Sequence, residues 1–319
     1  MKSMKNPYEP DVFNRTELEI LKQVVMSNIS VSELGKRLGK SHNTISNALY
    51  KLREKGLVNT KRNGVSKRVE FDNAKHAILI RSLLNRYAYI PWENLLTFSS
   101  STILKNIVHG VKEGKLKQVK SNTTFWRHLR NLMAHGVVNL EGENYKINAR
   151  FDILIDFFKE YNTYMIQRLV REASDKASIL WKNLSEFLIR VPYQDKIRKS
   201  AFHLTAISAF AKYGIDVISN FDYYFYSSRK RELSKEDYVL HTLLIEKGNV
   251  IYLTYALLFI SKFRQELSKS YLLEEAQMFG LEKQVNAMFL FLARKRPPAD
   301  VVLPSWAEFK QKAEQYNVM

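Results

Sequence analysis

Two asparagines stand one helical turn apart, Asn43 and Asn47, in the run Ser41-His42-Asn43-Thr44-Ile45-Ser46-Asn47. A carboxamide donates and accepts in one plane, which matches the N7 acceptor and N6 donor that adenine shows in the major groove of duplex DNA. His42 is a third candidate for a base edge. Ser41 and Thr44 are better placed for phosphate, although Ser41 also reads as a helix cap whatever the ligand. Ser46 and Lys51 flank the same face and complete the candidate DNA contacts of this segment. Downstream, Lys61, Arg62, Lys67 and Arg68 surround Gly64. A basic hairpin of this kind reaches the neighbouring backbone or the minor groove, where arginine senses groove width more than sequence. From Lys36 to Arg68 there are ten basic residues and one acid, Glu54. Such a block can be a solvated face, but one this one-sided repels itself unless something negative lies against it.

The charge of the whole chain has the same origin. Net charge is +18 over 319 residues. Residues 1–150 carry 26 Lys+Arg against 12 Asp+Glu, and residues 151–319 carry 24 against 20. The excess is therefore local to the first half, as expected for a polyanion-binding region. The absence of cysteine excludes disulfides, thiolate metal sites and cysteine nucleophiles. No apolar run reaches membrane-spanning length, and Met1 to Pro10 lacks the apolar core of a signal peptide. A cytoplasmic, nucleoid-associated protein is the expectation. There is no Walker loop, no glycine-rich dinucleotide fingerprint, no His-x-x-x-His pair and no Gly-x-Ser-x-Gly elbow. The seven histidines are scattered, and His241 reads as a buried core histidine. No catalytic residue, metal or cofactor is expected, so the chain does not read as an enzyme.

The elements that must position these side chains follow from periodicity and caps. The spacing predicts a helix over 16–26 with a Thr16/Glu19 capping box, a second over 32–38 stopped by Gly39, and a third from Ser41 through Lys55 stopped by Gly56. On the third, Ile45, Leu49 and Leu52 form the core stripe and Asn43, Asn47, Tyr50 and Glu54 the opposite face. Residues 57–71 then read as a hairpin with Asn63-Gly64 at its turn. This order, carried by Val31-Ser32-Glu33-Leu34-Gly35-Lys36-Arg37-Leu38-Gly39, Ser41 to Ser46 and Leu52-Arg53-Glu54-Lys55-Gly56-Leu57-Val58, resembles the winged helix-turn-helix regulators of the MarR and ArsR type. The resemblance covers residues 14–72. It implies a recognition helix, 41–55, in the major groove and a wing, 58–71, on the backbone or minor groove.

A second copy follows. Ser121 to Val138 aligns without gaps to Ser41 to Val58 at an offset of 80, and Ile103-Leu104-Lys105 echoes Ile20-Leu21-Lys22. The copy is degenerate: its second helix, over 112–119, reads weakly, and its wing carries Glu141 and Glu143. Trp126, Arg127 and Arg130 are its candidates for a second DNA contact or an interface, with Trp126 in the local core as the alternative. A helix over 76–89 bridges the two copies.

Beyond residue 150 the spacing predicts helices over 151–190, 200–213, 234 onward, 250–266, 270–279, 281–293 and 305–316. Short strands could form at 215–219 and 223–227, and the run Phe221 to Tyr226 reads as core or interface packing. His203 to Ile215 resembles a helix of nucleotidyltransferase-like and abortive-infection antitoxin proteins. The Gly-Ser turn and paired aspartates of those enzymes are missing here, since Asp216 and Asp222 are six apart. With Leu303-Pro304-Ser305-Trp306-Ala307-Glu308-Phe309, the layout resembles archaeal regulators with tandem winged helices and a helical tail.

The expected fold is mainly α with small β wings: a winged helix-turn-helix over 1–75, a degenerate copy over 76–150 and a mostly helical association or effector domain over 151–319. The expected function is a sequence-specific, dimeric, double-stranded-DNA-binding transcriptional regulator, with a protein partner conceivable through the C-terminal domain and no membrane. Two alternatives stay open. One is an antitoxin-like autorepressor with a degenerate nucleotidyltransferase-like tail, the other a plasmid or viral replication initiator.

Overall fold

Asn14 and Glu17 decide where the first helix starts. The structure, a computed structural model, describes residues 13–63, 66–110, 122–142, 144–197, 199, 201–227, 232–245 and 248–318. It is mainly helical with small sheets and divides into two compact units, residues 1–167 and 168–319. In the first, helix α1 spans Arg15–Met26 and its cap is Asn14, not Thr16. The Asn14 side chain accepts from the Glu17 amide at 2.9 Å, and the Glu17 carboxylate accepts in return from the Asn14 amide at 3.1 Å. Glu19 is drawn instead to Arg15 and Lys40, at 3.1 and 3.3 Å. Strand β1 (Ile29–Ser30) leads into α2 (Val31–Leu38), capped by Ser30 with Glu33 and stopped by Gly39 at φ +61°. Helix α3 (His42–Glu54) follows, capped by Ser41, and then the hairpin β2 (Val58–Asn63) and β3 (Ser66–Phe71). The three strands pair antiparallel in the order β1-β3-β2, with Ile29 opposite Val69 and Val58 opposite Phe71. Sequence periodicity does not reveal β1, which is two residues long. The turn residue Gly64 lies outside the described residues.

The chain continues with α4 (Lys75–Arg86), α5 (Trp92–Leu95), α6 (Phe98–Val108), α7 (Asn122–Ala134), the hairpin β4 (Val138–Glu141) and β5 (Asn144–Ile147), and α8 (Ile153–Ala173). Helix α4 stops three residues before the expected Tyr89, where Tyr87 leaves helical geometry and its carbonyl accepts from the Trp92 indole at 2.9 Å. At an offset of 80 residues the backbone repeats. Gly56 and Gly136 both turn the chain left-handed, at φ +63° and +66°. The amide of Gly56 bonds the Arg53 carbonyl at 2.8 Å, as Gly136 bonds Met133 at 2.9 Å. Leu57 reaches back to Leu52 at 3.0 Å, as Val137 does to Leu132 at 2.9 Å. The second hairpin has no third strand among the described residues, and the expected helix over 112–119 lies outside them. One apolar core serves this unit from Phe13 to Tyr161, including Leu21, Leu52, Val69, Trp92, Leu129 and Phe157.

The second unit is mainly helical but holds more sheet than the sequence leads one to expect. Residues 178–192 do not continue a helix: Ser178–Lys182 (β6) and Glu186–Pro192 (β7) form a hairpin. Asn183 makes the turn, its side-chain oxygen accepting from the amides of Ser185 and Glu186 at 2.9 and 2.8 Å. Phe202–Leu204 is strand β8, so the helix expected over 200–213 shrinks to α9 (Ile207–Phe210) and a 3₁₀ turn ending at Gly214. Strand β9 (Phe221–Ser227) forms as expected in the aromatic run, but no strand forms over 215–219. Its partners are β7 and β8, giving a four-stranded antiparallel sheet β6-β7-β9-β8. The apolar runs are short, and at that length helical and strand periods cannot be told apart. Five helices follow: α10 (Lys235–Ile245), α11 (Val250–Lys262), α12 (Lys269–Phe279), α13 (Glu282–Leu292) and α14 (Trp306–Gln315). Helix α10 is buried on every side from Glu236 to Ile245 and centres this unit's core.

The end of α3 is held from inside the first unit. The Lys55 ammonium turns inward to the buried Glu17 carboxylate at 2.6 Å, with the Phe13 ring 5.3 Å away. The Lys55 carbonyl accepts from His76 Nε2 at 2.9 Å, and the His76 ring packs 4.4 Å from Tyr164 and 5.6 Å from Tyr161. A Cβ at Gly56 would strike the Tyr164 ring, whereas one at Gly136 meets nothing. Gly136→Ala should therefore cost about 1 kcal/mol, the left-handed penalty alone. Gly56→Ala should cost at least about 1 kcal/mol more, because Tyr164 must also give way. Equal shifts of the two urea midpoints would refute the contact. Burial holds the His76 imidazole below its ordinary pKa, against the hydrogen bond to Lys55 that favours its charge. The unfolded chain then binds the proton more readily, so this stability is present above about pH 6.5 and is lost as pH falls below it. Unfolding followed from pH 7 to 5 should show a steeper acid loss for the natural chain than for His76→Gln.

Candidate nucleic-acid interface

Helix α3 buries Ile45, Ala48, Leu49 and Leu52, the last three at most 5% exposed and Ile45 fully enclosed. That stripe fixes the helix's rotation and turns Asn43, Asn47 and Tyr50 to solvent together. His42, Thr44 and Lys51 are exposed beside them, and Ser46 is half-buried with its hydroxyl 3.4 Å from His42 Nδ1. Ser41 works as the cap: its Oγ accepts from the Thr44 amide at 3.3 Å and lies 2.9 Å from the Thr44 hydroxyl. The side chain that amide chemistry passes over is Tyr50, 63% exposed between the asparagines and Glu54. Helical register alone locates it.

The hairpin sets its cations on two faces. Lys61 lies opposite Arg68 and Arg62 opposite Lys67. Because strand side chains alternate, the Lys61–Arg68 pair leaves one face and the Arg62–Lys67 pair the other. Both are like-charge pairs directly across a ladder, which is unfavourable without an anion nearby. On the first face the protein supplies acids. Glu70 takes Lys61 at 2.7 Å and holds that ammonium above its ordinary pKa. Glu33 is pulled below its ordinary pKa first by hydrogen bonds from Ser30, then by Arg37 and Arg68. On the second face, Arg62 and Lys67 are exposed and stand in no ion pair among the described residues. The ten cations counted by residue type are thus not one surface. Lys55 is buried on Glu17, Lys40 is paired with Glu19, and Lys61 with Glu70.

In the second copy, Phe125, Leu129 and Leu132 make the core stripe of α7, and Arg127 and Arg130 are exposed. Trp126 is half-buried against the unit's core, its ring edge-on to Phe125 at 5.3 Å. This is the packing alternative. Glu141 is held by Lys146 at 2.6 Å, and Glu143 lies outside the described residues.

In the second unit the aromatic run and His241 are packed into the core, as expected. The β9 aromatics are buried, with Tyr226 stacked on Phe187 at 4.6 Å. His241 is buried, its Nδ1 2.7 Å from the Thr205 hydroxyl and its ring stacked on Phe225 at 4.2 Å. Burial raises the Asp222 carboxyl above its ordinary pKa, against a hydrogen bond from Ser208. Among the described residues no group of His, Asp and Glu could hold a metal ion, and no helix is long and apolar enough to cross a membrane.

A family model described as HVO_2833_C, C-terminal, matches residues 199–318, from β8 to the end of α14 and all within the second unit. No curated protein and no solved structure matches the chain.

Proposed function

We propose that the chain is a sequence-specific regulator that binds double-stranded DNA through a winged helix-turn-helix formed by α1, α2, α3 and the β2–β3 hairpin. Helix α3 lies in the major groove, where Asn43 and Asn47 read adenine edges, and the hairpin lies along the backbone or minor groove. The observation that carries this reading is the Arg62–Lys67 pair. Two exposed cations are held opposite each other near the hairpin tip, beyond the buried Val58 and Val69 of the same face, and neither is in an ion pair among the described residues. A phosphate backbone relieves that repulsion and releases counterions as it does so. The uniform polar face of α3, exposed beside a three-stranded sheet in the order β1-β3-β2, is the second support.

Grip and choice then separate by residue. Asn43→Ala with Asn47→Ala should abolish the preference for a selected duplex over random duplex, a loss of about 10- to 100-fold, while weak salt-sensitive binding survives. Arg62→Ala with Lys67→Ala should weaken binding to every duplex alike and flatten the salt slope by about 2. Fluorescence anisotropy on duplexes taken from a random pool reads both. Absence of binding to any duplex at low ionic strength would defeat the proposal.

A further inference from the structure

Resting on that reading, we propose that α7 is a second reading helix, and that Arg127 and Arg130 contact guanine edges in a separate segment of the same duplex. The backbone argument comes first. The residues that close α7 repeat those that close α3 at a constant offset, with the same left-handed glycine and the same reversed hydrogen bonds. Position along one helix therefore maps onto position along the other. Arg127 falls where α3 places Asn47, and Arg130 where it places Tyr50. Both arginines are exposed, and among the described residues neither is in an ion pair.

The surroundings favour an anionic, hydrogen-bonding ligand over protein packing. Three residues apart on a helix, two like charges repel and weaken it unless something offsets them. Trp126, the side chain best suited to an interface, is turned against the core and does not extend the exposed face. Of the two acids in the following hairpin, Glu141 is paired with Lys146 at 2.6 Å, which offsets its charge toward a phosphate backbone, and Glu143 lies outside the described residues. The chemistry also differs usefully from that of α3. A guanidinium presents two parallel donors that match guanine O6 and N7, whereas the carboxamides of Asn43 and Asn47 match adenine. One chain would then read a composite site with an adenine part and a guanine part.

The test uses the full-length chain. A selection from a random duplex pool should return a site with both parts. Arg127→Ala with Arg130→Ala should lose about 10- to 100-fold in preference at the guanine positions only and leave the adenine positions as they were. Arg127→Lys with Arg130→Lys keeps the charge but not the planar fork, so binding should stay within a few fold while the guanine preference disappears. Lysine variants with unchanged preference would overturn bidentate reading by the guanidinium planes of α7. So would arginine-to-alanine variants that behave as the natural chain while the Asn43/Asn47 variant still loses its selectivity, an outcome that leaves the reading of α3 standing. A natural chain that binds no duplex would overturn both.

Discussion

The first unit depends on one buried ion pair, Glu17 with Lys55. Taking two charges out of water is expensive, and the cost is offset only where geometry is good and the remaining polar atoms are satisfied. Both conditions hold. The carboxylate also caps α1 through Asn14, and the ammonium lies 5.3 Å from the Phe13 ring. Removing one partner of such a pair costs about 3–5 kcal/mol, because the other charge stays buried and alone. The pair joins the start of α1 to the end of α3, and the Lys55 carbonyl joins the same point to α4 through His76. The angle of α3 is thereby set from its C-terminal end, and its N-terminal half is left free to present Asn43 and Asn47.

Charge on the outside obeys a different rule. Inside, one cation meets one anion at close range. On the hairpin, cations are placed against cations, and only one face is given acids to balance them. Repulsion of this kind is modest between exposed side chains but is not removed by salt, because cross-strand neighbours lie inside the screening length of about 10 Å at 0.1 M ionic strength. In the proposed complex a polyanion relieves it. The two faces differ: Lys61 and Arg68 interact with Glu70 and Glu33, while Arg62 and Lys67 are in no ion pair among the described residues.

How much of this is legible in the sequence depends on whether a signal is local. Helices α2 and α3 are readable because serine caps and Gly39 and Gly56 fix their ends within a few residues. Strand β1 is not, because two residues carry no period. Asn14 with Glu17 and Thr16 with Glu19 have the same spacing, but Glu19 is taken by Arg15 and Lys40, and Glu17 closes the box with Asn14. Lys55 itself counts as a surface cation by type, and nothing local announces that it turns inward. In the second unit, Phe187, Ile189 and Val191 share one face of β7, and Glu186, Leu188 and Arg190 the other, but seven residues are too few to separate this period from a helical one.

The repeat shows which parts of such a module are constrained. Gly56 and Gly136 share a backbone conformation, yet only Gly56 also needs the absence of a side chain, because Tyr164 occupies the space beside it. The end of α3 is thus closed from behind by α8, and nothing lies within 4 Å of the corresponding position at the end of α7. Backbone geometry is the same at the ends of α3 and α7 because the helix stop demands it in either place. The exposed face carries no such demand, so the amide of Asn47 can stand where the second segment has the guanidinium of Arg127 at no cost to the fold. On the proposed reading, what such a module contacts changes without a change in how it is built, and the difference between Asn47 and Arg127 is a difference of that kind.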